Sequence, residues 1–370
     1  MIRVPNAVAG LVVLAWLLLA CAGGATTPPP EPTAPTAAAP PTPTTLPVAS
    51  TGPARTQLKV GYIASTISAG LFLGESRGYF AEEGLELELE PFDAGERMIP
   101  LLATDQIAVA AGGLSAGLYG ALARGAELRV IAGMTTNEPG YSSTAIVVRK
   151  DLMDSGAIRD LADLRDRSVG LIAPTSSLAI DMSRALQSVG LSDTDVSWVL
   201  LPFPDQALAL ANGAIEVSIL TEPFVATAVQ TGIGVRWKGM DELYPHHQLT
   251  VLMYAPGFAR DQPAAAERFL AAYLRGARDF VDAVKHGRDR SGVFRVLAEY
   301  TPIKDLSMYE HIVPSGIDPD GRLNRESMEA DQDWYLARGY IREKIDLSRV
   351  IDLSYREAAL QRIGRYTPRP

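Results

Sequence analysis

The sequence is poor in the residues that build metal sites and covalent cross-links. Of its 370 residues, one is cysteine (Cys21) and four are histidine. A single cysteine cannot form an intramolecular disulfide. The sequence contains no H-E-x-x-H motif, no cysteine pair, no EF-hand spacing and no phosphate-binding loop ending in Gly-Lys-Ser/Thr. We therefore expect neither a metal site nor a cofactor.

Long apolar runs and an excess of basic residues are also missing. After residue 20, no apolar run approaches the ~20 residues needed to span a bilayer. The chain has 34 Lys and Arg against 43 Asp and Glu, a net charge of −9, and no basic patch interleaved with aromatic residues. This balance argues against a nucleic-acid partner. The folded part is expected to be soluble.

The first 57 residues have the pattern of an exported protein that is tethered to a membrane. Arg3 precedes an apolar run over residues 8–20, and the Leu-Leu-Ala-Cys sequence ending at Cys21 resembles a bacterial lipobox. We expect residues 1–20 to be a signal peptide and Cys21 to carry a lipid anchor, on the side of the cell membrane that faces away from the cytoplasm. Residues 21–57 are rich in Pro, Thr and Ala and are predicted to form an extended linker.

From residue 58 onwards, apolar strands alternate with amphipathic helices, which predicts an α/β protein with parallel sheets. The predicted strands cover residues 58–64, 85–89, 107–111, 128–132, 144–149, 169–173, 196–201, 216–220, 234–237 and 249–254. One helix is predicted over residues 69–83, and the chain is mostly helical after residue 263. We expect two lobes, 58–148 with 251–370 and 149–250, joined by the strands at 144–149 and 249–254 as a hinge.

Five predicted strands end in small polar residues that open a helix or turn. The clearest is at Thr175, Ser176 and Ser177, where one of the three should cap the next helix and leave free N–H groups at the strand's carboxyl end. Open α/β sheets bind ligands at such ends. The candidate ligand-binding residues from these loops are Ser65, Thr66, Ser68, Gly113, Ser115, Asn137, Tyr141, Ser142, Thr175, Ser176, Ser177, Glu222 and Phe224.

An esterase is the enzyme alternative, because residues 113–117 match the G-x-S-x-G pattern of a nucleophile elbow between a strand and a helix. Ser115 would be the nucleophile. A triad would also need an acid and one of the histidines, His246, His247, His286 or His311. No HGGG-like oxyanion segment precedes Ser115, so the alternative reading of Ser115 is a helix cap that contacts ligand.

Several motifs together resemble the periplasmic and lipoprotein solute-binding proteins that capture nitrate, alkanesulfonates, taurine or the pyrimidine precursor of thiamine for ABC importers. The matching segments, spread over residues 57–285, are residues 74–85 (Gly-Glu-Ser-Arg-Gly-Tyr-Phe-Ala-Glu-Glu-Gly-Leu), 160–164 with 169–170, 207–208 with 212–216, and 222–224 with Gly232. The resemblance implies two α/β lobes of the type II binding-protein kind that close on a ligand. It also implies an ABC permease and its ATPase as partners. We expect the protein to be a monomer and to have no enzymatic activity.

The resemblance leaves the ligand open. Relatives that synthesise the thiamine pyrimidine carry a cysteine-rich motif, which a chain with one cysteine lacks. The five loops contain no Arg or Lys but do contain Glu222, Tyr141 and Phe224. A carboxylate disfavours an anion, and aromatic rings stack on a flat ligand. We therefore expect a nitrogen heterocycle of vitamin type, riboflavin or the thiamine pyrimidine precursor. The alternative is a sulfonate, taurine or nitrate held by helix N-termini.

Overall fold

A computed structural model of the protein describes residues 55–368. The predicted signal peptide, the lipid attachment at Cys21 and nearly all of the predicted linker lie outside the described residues. In residues 55–368, no helix combines the length and the apolar character needed to cross a bilayer.

Within residues 55–368, ten strands form two five-stranded sheets. The strands are β1 (Thr56–Ile63), β2 (Leu85–Phe92), β3 (Val109–Gly113), β4 (Arg129–Thr136), β5 (Thr144–Arg149), β6 (Ser168–Leu171), β7 (Ser197–Leu200), β8 (Val217–Thr221), β9 (Gly234–Gly239) and β10 (Gln248–Tyr254). The first sheet has the order β2-β1-β3-β10-β4 and the second has the order β7-β6-β8-β5-β9. Each of the ten predicted strands is present, and the α/β prediction is confirmed.

Fifteen α-helices flank the sheets in the described part of the chain. They are α1 (Ala69–Ser76), α2 (Tyr79–Glu82), α3 (Ile99–Ala103), α4 (Ala116–Ala123), α5 (Lys150–Asp154), α6 (Ser177–Gln187), α7 (Phe203–Ala211), α8 (Phe224–Gln230), α9 (Met240–Leu243), α10 (Pro256–Asp261), α11 (Pro263–His286), α12 (Arg290–Tyr300), α13 (Leu306–Tyr309), α14 (Arg325–Ala337) and α15 (Ser354–Ile363).

The expectation of purely parallel sheets is wrong for one strand in each sheet. β1 runs parallel to β2 and β3, and β6 runs parallel to β7 and β8. However, β10 is antiparallel to β3 and β4, and β5 is antiparallel to β8 and β9. These are the two strands that follow a passage from one sheet to the other, so they enter from the opposite end. The sequence placed residues 144–148 in the first lobe, whereas β5 pairs within the second sheet.

The predicted helix over residues 69–83 is broken in two. α1 ends at Ser76 and α2 begins at Tyr79, with Gly78 between them at φ +74°. This left-handed backbone conformation interrupts an α-helix and is readily adopted by glycine because it has no Cβ. The break turns the chain, and Phe80 is fully buried beside Phe269 of α11, with ring centroids 4.9 Å apart.

The alternating sequence of β2 is matched by its burial. Leu85 is buried while Glu86 and Glu88 are exposed, as expected for a strand with one face toward solvent. β2 lies at the edge of the first sheet, where the ammonium of Lys59 lies 3.4 Å from Glu88 and 3.3 Å from Glu90. These carboxylates face solvent and are not among the residues that line the cavity described below.

Candidate functional site

A cavity of about 60 Å³ lies between the loops of the two sheets. Four of its lining residues lie at or just after the carboxyl ends of parallel strands: Ile63 of β1, Gly113 of β3, Ile172 after β6 and Thr221 of β8. The first residues of the antiparallel strands β5 and β10 complete the wall, because their amino ends reach the same edge. Both sheets therefore contribute to one cavity, in the position where open α/β sheets bind ligands.

The walls of the cavity are mainly apolar. Aliphatic side chains come from both sheets, and one aromatic ring, Phe203 at the start of α7, lines the cavity. The Phe203 ring stacks on the predicted site residue Phe224, with centroids 5.9 Å apart and planes at 27°. Phe224 therefore supports the aromatic wall from behind and is not itself among the lining residues.

Four of the predicted site residues line the cavity: Gly113, Ser115, Ser176 and Ser177. Ser115 caps α4, and its hydroxyl accepts a hydrogen bond from the Leu118 amide at 3.3 Å. Ser176 is the cap residue of α6, and its hydroxyl donates to the carbonyl of Ala173 at 2.8 Å. The Ser177 hydroxyl donates to the Leu249 carbonyl at 3.4 Å. These hydroxyls fix the loop conformations and keep further hydrogen-bonding capacity toward the cavity.

The loops 113–116 and 175–177 are joined to each other by backbone hydrogen bonds. The Ala116 amide donates to the Thr175 carbonyl at 3.0 Å, and the Ser177 amide donates to the Leu114 carbonyl at 3.1 Å. The Thr175 hydroxyl also donates to the Glu96 carboxylate. Since one loop follows β3 and the other follows β6, these bonds hold the two sheets together over the cavity.

The predicted residues Ser65, Thr66 and Ser68 lie beside the cavity and are not among its lining residues. The Thr66 amide and hydroxyl both donate to the carbonyl of Glu222, at 3.2 and 3.1 Å, which is a second link between the sheets. Ser68 donates to the Ile63 carbonyl at 2.9 Å. The Ser65 hydroxyl is fully buried and has no hydrogen-bond partner within residues 55–368.

The carboxylate of Glu222 is committed to backbone amides. It is 1% exposed; one oxygen accepts from the Ala226 amide at 2.9 Å and the other accepts from the Val313 amide at 3.0 Å. Burial raises the pKa of Glu222 to about 7, against the lowering effect of these two hydrogen bonds. Glu222 is not among the cavity-lining residues. Glu222 was expected to accept hydrogen bonds from a ligand, but its carboxylate instead anchors the loop after β8 to the C-terminal segment.

This burial predicts a pH dependence of stability. The folded-state pKa of Glu222, about 7, lies above its ordinary value of 4.5. The unfolded chain therefore loses its proton first, and the free energy of unfolding should fall as pH rises from 4.5 to 7, by about 3 kcal/mol in total. Urea unfolding at several pH values measures this decline. Glu222→Gln should remove it, and exposed Glu343→Gln should not. An unchanged decline in Glu222→Gln would contradict the assignment.

Asn137, Tyr141 and Ser142 lie away from the cavity. The Asn137 amide group donates to Asp181 at 3.3 Å and to the Tyr244 carbonyl at 3.3 Å, while its oxygen accepts from the Ser142 hydroxyl at 3.1 Å. The ammonium of Lys285 lies over the Tyr141 ring, 4.5 Å from the ring centroid. These three residues brace the passage from the first sheet to the second and are not among the lining residues.

The esterase alternative is not supported by the histidine geometry. His247 is fully buried, with Nδ1 2.6 Å from Asp181 and Nε2 3.0 Å from Asp331, so both ring nitrogens are occupied. Burial alone would lower its pKa, but the carboxylates of Asp331 and Asp181 raise it to about 10. A charged, doubly paired imidazole cannot act as a general base. Ser115 caps a helix, and no hydrogen bond joins it to a histidine in the described residues.

The predicted site residues do not include Glu96, Thr144, Phe203 and Thr221, all of which line the cavity, although Thr221 begins one of the five predicted loops. Glu96 lies in the turn after β2, and Phe203 follows β7. The strand-end rule would have found both if it had been applied to every strand. Thr144 lies at the start of an antiparallel strand, whereas the rule that ligands bind at the carboxyl ends of parallel strands considers only the residues that follow a strand. Among residues 55–368, no group of His, Cys, Asp or Glu forms a metal-binding cluster.

Comparisons with known proteins agree with this architecture. The model of the NMT1-like family matches residues 51–292. Curated proteins yield no match. The periplasmic nitrate-binding protein NrtA from Synechocystis PCC 6803 superposes with a TM-score of 0.69 at 15% identity, covering 84% of this chain and 89% of that one. The aliphatic sulphonate-binding protein SsuA from Escherichia coli gives a TM-score of 0.63 at 23% identity, covering 81% and 92%.

An enzyme shares the same fold. The desulfurization enzyme DszB superposes with a TM-score of 0.59 at 17% identity, covering 84% of this chain and 100% of that one. At these identities, structural likeness demonstrates a common fold, which here is the two-sheet fold of periplasmic binding proteins. The family model spans more than half of the chain, including β1 to β10. The chain therefore belongs to the NMT1-like family.

Proposed function

We propose that this protein is the substrate-binding component of an ABC importer, which holds a small molecule between its two sheets and delivers it to a permease. The main support for this function is the cavity formed jointly by the loops after β3 and β6. The loops that line the cavity are joined to each other by hydrogen bonds, and the sheets would separate to admit a ligand and close again. Solute-binding proteins with the same fold support the proposal.

The ligand proposed is a nitrogen heterocycle of vitamin type, the pyrimidine precursor of thiamine or riboflavin. The ring of Phe203 offers a stacking surface, and hydroxyls surround it. None of the described lining residues is Lys, Arg or His. A cavity of about 60 Å³ has room for only a few waters. Either ligand needs more room than this, and the tricyclic flavin would require the sheets to move further apart than the single-ring pyrimidine.

An anion receptor is the second candidate. α6 begins at the cavity wall, and the N-terminus of a helix attracts anions without any basic side chain. Two proteins of similar structure are a sulphonate-binding protein and a nitrate-binding protein. A sulfonate, taurine or nitrate in the cavity would use these backbone amides.

The proposal includes a place in the cell and a mode of attachment. Removal of residues 1–20 and lipidation of Cys21 would leave the protein anchored outside the cytoplasm, with residues 21–57 as a tether between membrane and fold. The partners would be the permease with its ATPase, and the protein would act as a monomer. We propose a binding function without catalysis, since Ser115 acts as a helix cap.

A thermal-shift panel tests the function. The purified protein is heated with the thiamine pyrimidine precursor, riboflavin, taurine, an alkanesulfonate or nitrate, and p-nitrophenyl ester turnover is measured in parallel. A ligand at 100 times its Kd should stabilise the fold by about 2.7 kcal/mol. A shift with any solute and no turnover supports the receptor. Ester turnover that is lost in Ser115→Ala, or the absence of any shift, would contradict it.

A further inference from the structure

One ionisable side chain, Glu96, stands among the described residues that line the cavity. It lies in the short 3₁₀ turn Gly95–Met98, between β2 and α3. The turn is held close to the end of β3, because a Cβ built on Gly95 would lie 2.6 Å from the Gly113 nitrogen. The backbone at Glu96 is therefore held beside the cavity by the tight packing of its neighbour Gly95.

The Glu96 carboxylate also connects the two sides of the cavity. Its Oε2 accepts a hydrogen bond from the hydroxyl of Thr175, which lies in the loop after β6. This bond occupies one carboxylate oxygen and satisfies a fraction of the acceptor sites that an ionised carboxylate offers. The remaining acceptor sites are available to a donor inside the cavity.

A second polar group in the cavity is left without a partner. Thr221, the last residue of β8, lines the cavity and is 2% exposed. Its hydroxyl makes no hydrogen bond within the part of the chain that the structure describes. Buried polar groups are nearly always satisfied, and an orphaned one in a cavity indicates a missing ligand or water. Thr221 and Glu96 together supply a donor-acceptor hydroxyl and a negatively charged acceptor.

We propose that Glu96 is the residue that determines specificity, and that it selects a flat heteroaromatic ring bearing an amino group or a protonated ring nitrogen. The inference rests on the proposed function and narrows its ligand. The N–H donors would lie on Glu96, the ring would stack on Phe203, and the Thr221 hydroxyl would pair with a further polar atom of the ring. An anion would face the Glu96 carboxylate with no cationic side chain among the described lining residues to offset the repulsion.

The test is titration calorimetry with 4-amino-5-hydroxymethyl-2-methylpyrimidine as the probe. Matched probes are the same ring with the amino group replaced by hydrogen, ethanesulfonate and nitrate. The proteins are the full chain, Glu96→Gln, and the control Glu86→Gln, which makes the same charge change at an exposed position of β2. Melting curves without ligand confirm that each variant is folded.

We expect Glu96→Gln to weaken binding of the aminopyrimidine by about 10- to 100-fold, the usual worth of a hydrogen bond to a charged group. Glu86→Gln should bind like the unaltered protein. Removing the amino group should cost the unaltered protein a similar factor and cost Glu96→Gln little. Equal binding in all three proteins, or no binding of the aminopyrimidine to the unaltered protein, overturns the inference.

The outcomes separate this inference from the function on which it rests. If ethanesulfonate or nitrate binds the unaltered protein and the aminopyrimidine does not, the receptor function stands and the role of Glu96 is refuted. If no probe of either class binds, the role of Glu96 is refuted, and the thermal-shift panel, which also contains riboflavin and taurine, decides whether the receptor function stands. If Glu96→Gln gains affinity for the anions while losing the aminopyrimidine, the carboxylate is established as the selecting group.

Discussion

His247→Ala is expected to lower the free energy of unfolding by about 3–5 kcal/mol at pH 6. His247 is fully buried and joins Asp181 of α6 to Asp331 of α14, with both contacts at hydrogen-bonding distance. Removing the imidazolium leaves two carboxylates buried without their counter-charge. Desolvation of an unpaired charge is among the largest single penalties available in a protein interior.

The pH dependence distinguishes this charge pairing from simple loss of packing. The folded-state pKa of His247, about 10, lies above its ordinary value of 6.5. Its contribution to stability is therefore fully present below pH 6.5 and is lost as pH rises through 10. Between pH 8 and pH 10, above the range in which Glu222 titrates, the unaltered protein should lose stability and His247→Ala should not. Urea unfolding at pH 6, 8 and 10 measures both.

His311→Ala is the matched control, because His311 is exposed and its replacement should change the free energy of unfolding by less than about 0.5 kcal/mol. Adding Asp181→Asn and Asp331→Asn to His247→Ala should recover part of the loss, since neutral amides carry no charge into the interior. A His247→Ala protein that is as stable as the control, or one that keeps the alkaline decline, would refute the charge-pair account.

Much of the fold follows from local patterns in the sequence. Apolar runs bounded by Gly, Pro and polar residues give the ten strands, and the alternation in β2 gives its exposed face. Strand direction does not follow from such patterns. β5 and β10 have the composition of buried strands, but their direction depends on which end of a sheet the chain enters after leaving the other one. That information is held in the tertiary structure.

The site was predictable to the extent that it is local. Ser115, Ser176 and Ser177 line the cavity because polar residues at strand ends gather at one edge of the sheet. Glu222 has the same local signature, yet its carboxylate accepts from the Val313 amide, 91 residues away. No pattern around residue 222 shows that partner. The same holds for His247, whose role is set by Asp181 and Asp331 on distant helices.

The crossing of α1 and α11 gives the second large prediction, because it leaves no space for a side chain at Gly276. A Cβ built on Gly276 would overlap the carbonyl oxygen of Gly70 and would lie 2.5 Å from the nitrogen of Gly74. Both clashing groups are backbone, so neither can rotate away. Gly70 and Gly74, four residues apart on α1, let the two helices approach to backbone contact. Adding a Cβ at a contacting glycine of either helix must push the helices apart.

Gly276→Ala should therefore lower the free energy of unfolding by about 2–3 kcal/mol, even though replacing a helix-interior glycine by alanine ordinarily gains up to about 1 kcal/mol. Gly120→Ala is the matched control in α4. Its Cβ would meet only the flexible end of Arg124 at 3.3 Å, so it should be neutral or stabilising. Denaturant unfolding of the two variants beside the unaltered protein makes the comparison, and equal stabilities of the two variants would contradict the close-approach account.

The same substitution reaches the candidate site through the chain. α1 begins at Ala69, directly after the Ser65–Ser68 loop, in which Thr66 donates two hydrogen bonds to the Glu222 carbonyl across the two sheets. Moving α1 away from α11 shifts this loop as well. Gly276→Ala should accordingly weaken ligand binding measured by calorimetry, while Gly120→Ala leaves it unchanged. Loss of stability with unaltered affinity would show that the loop keeps its place independently of the helix crossing.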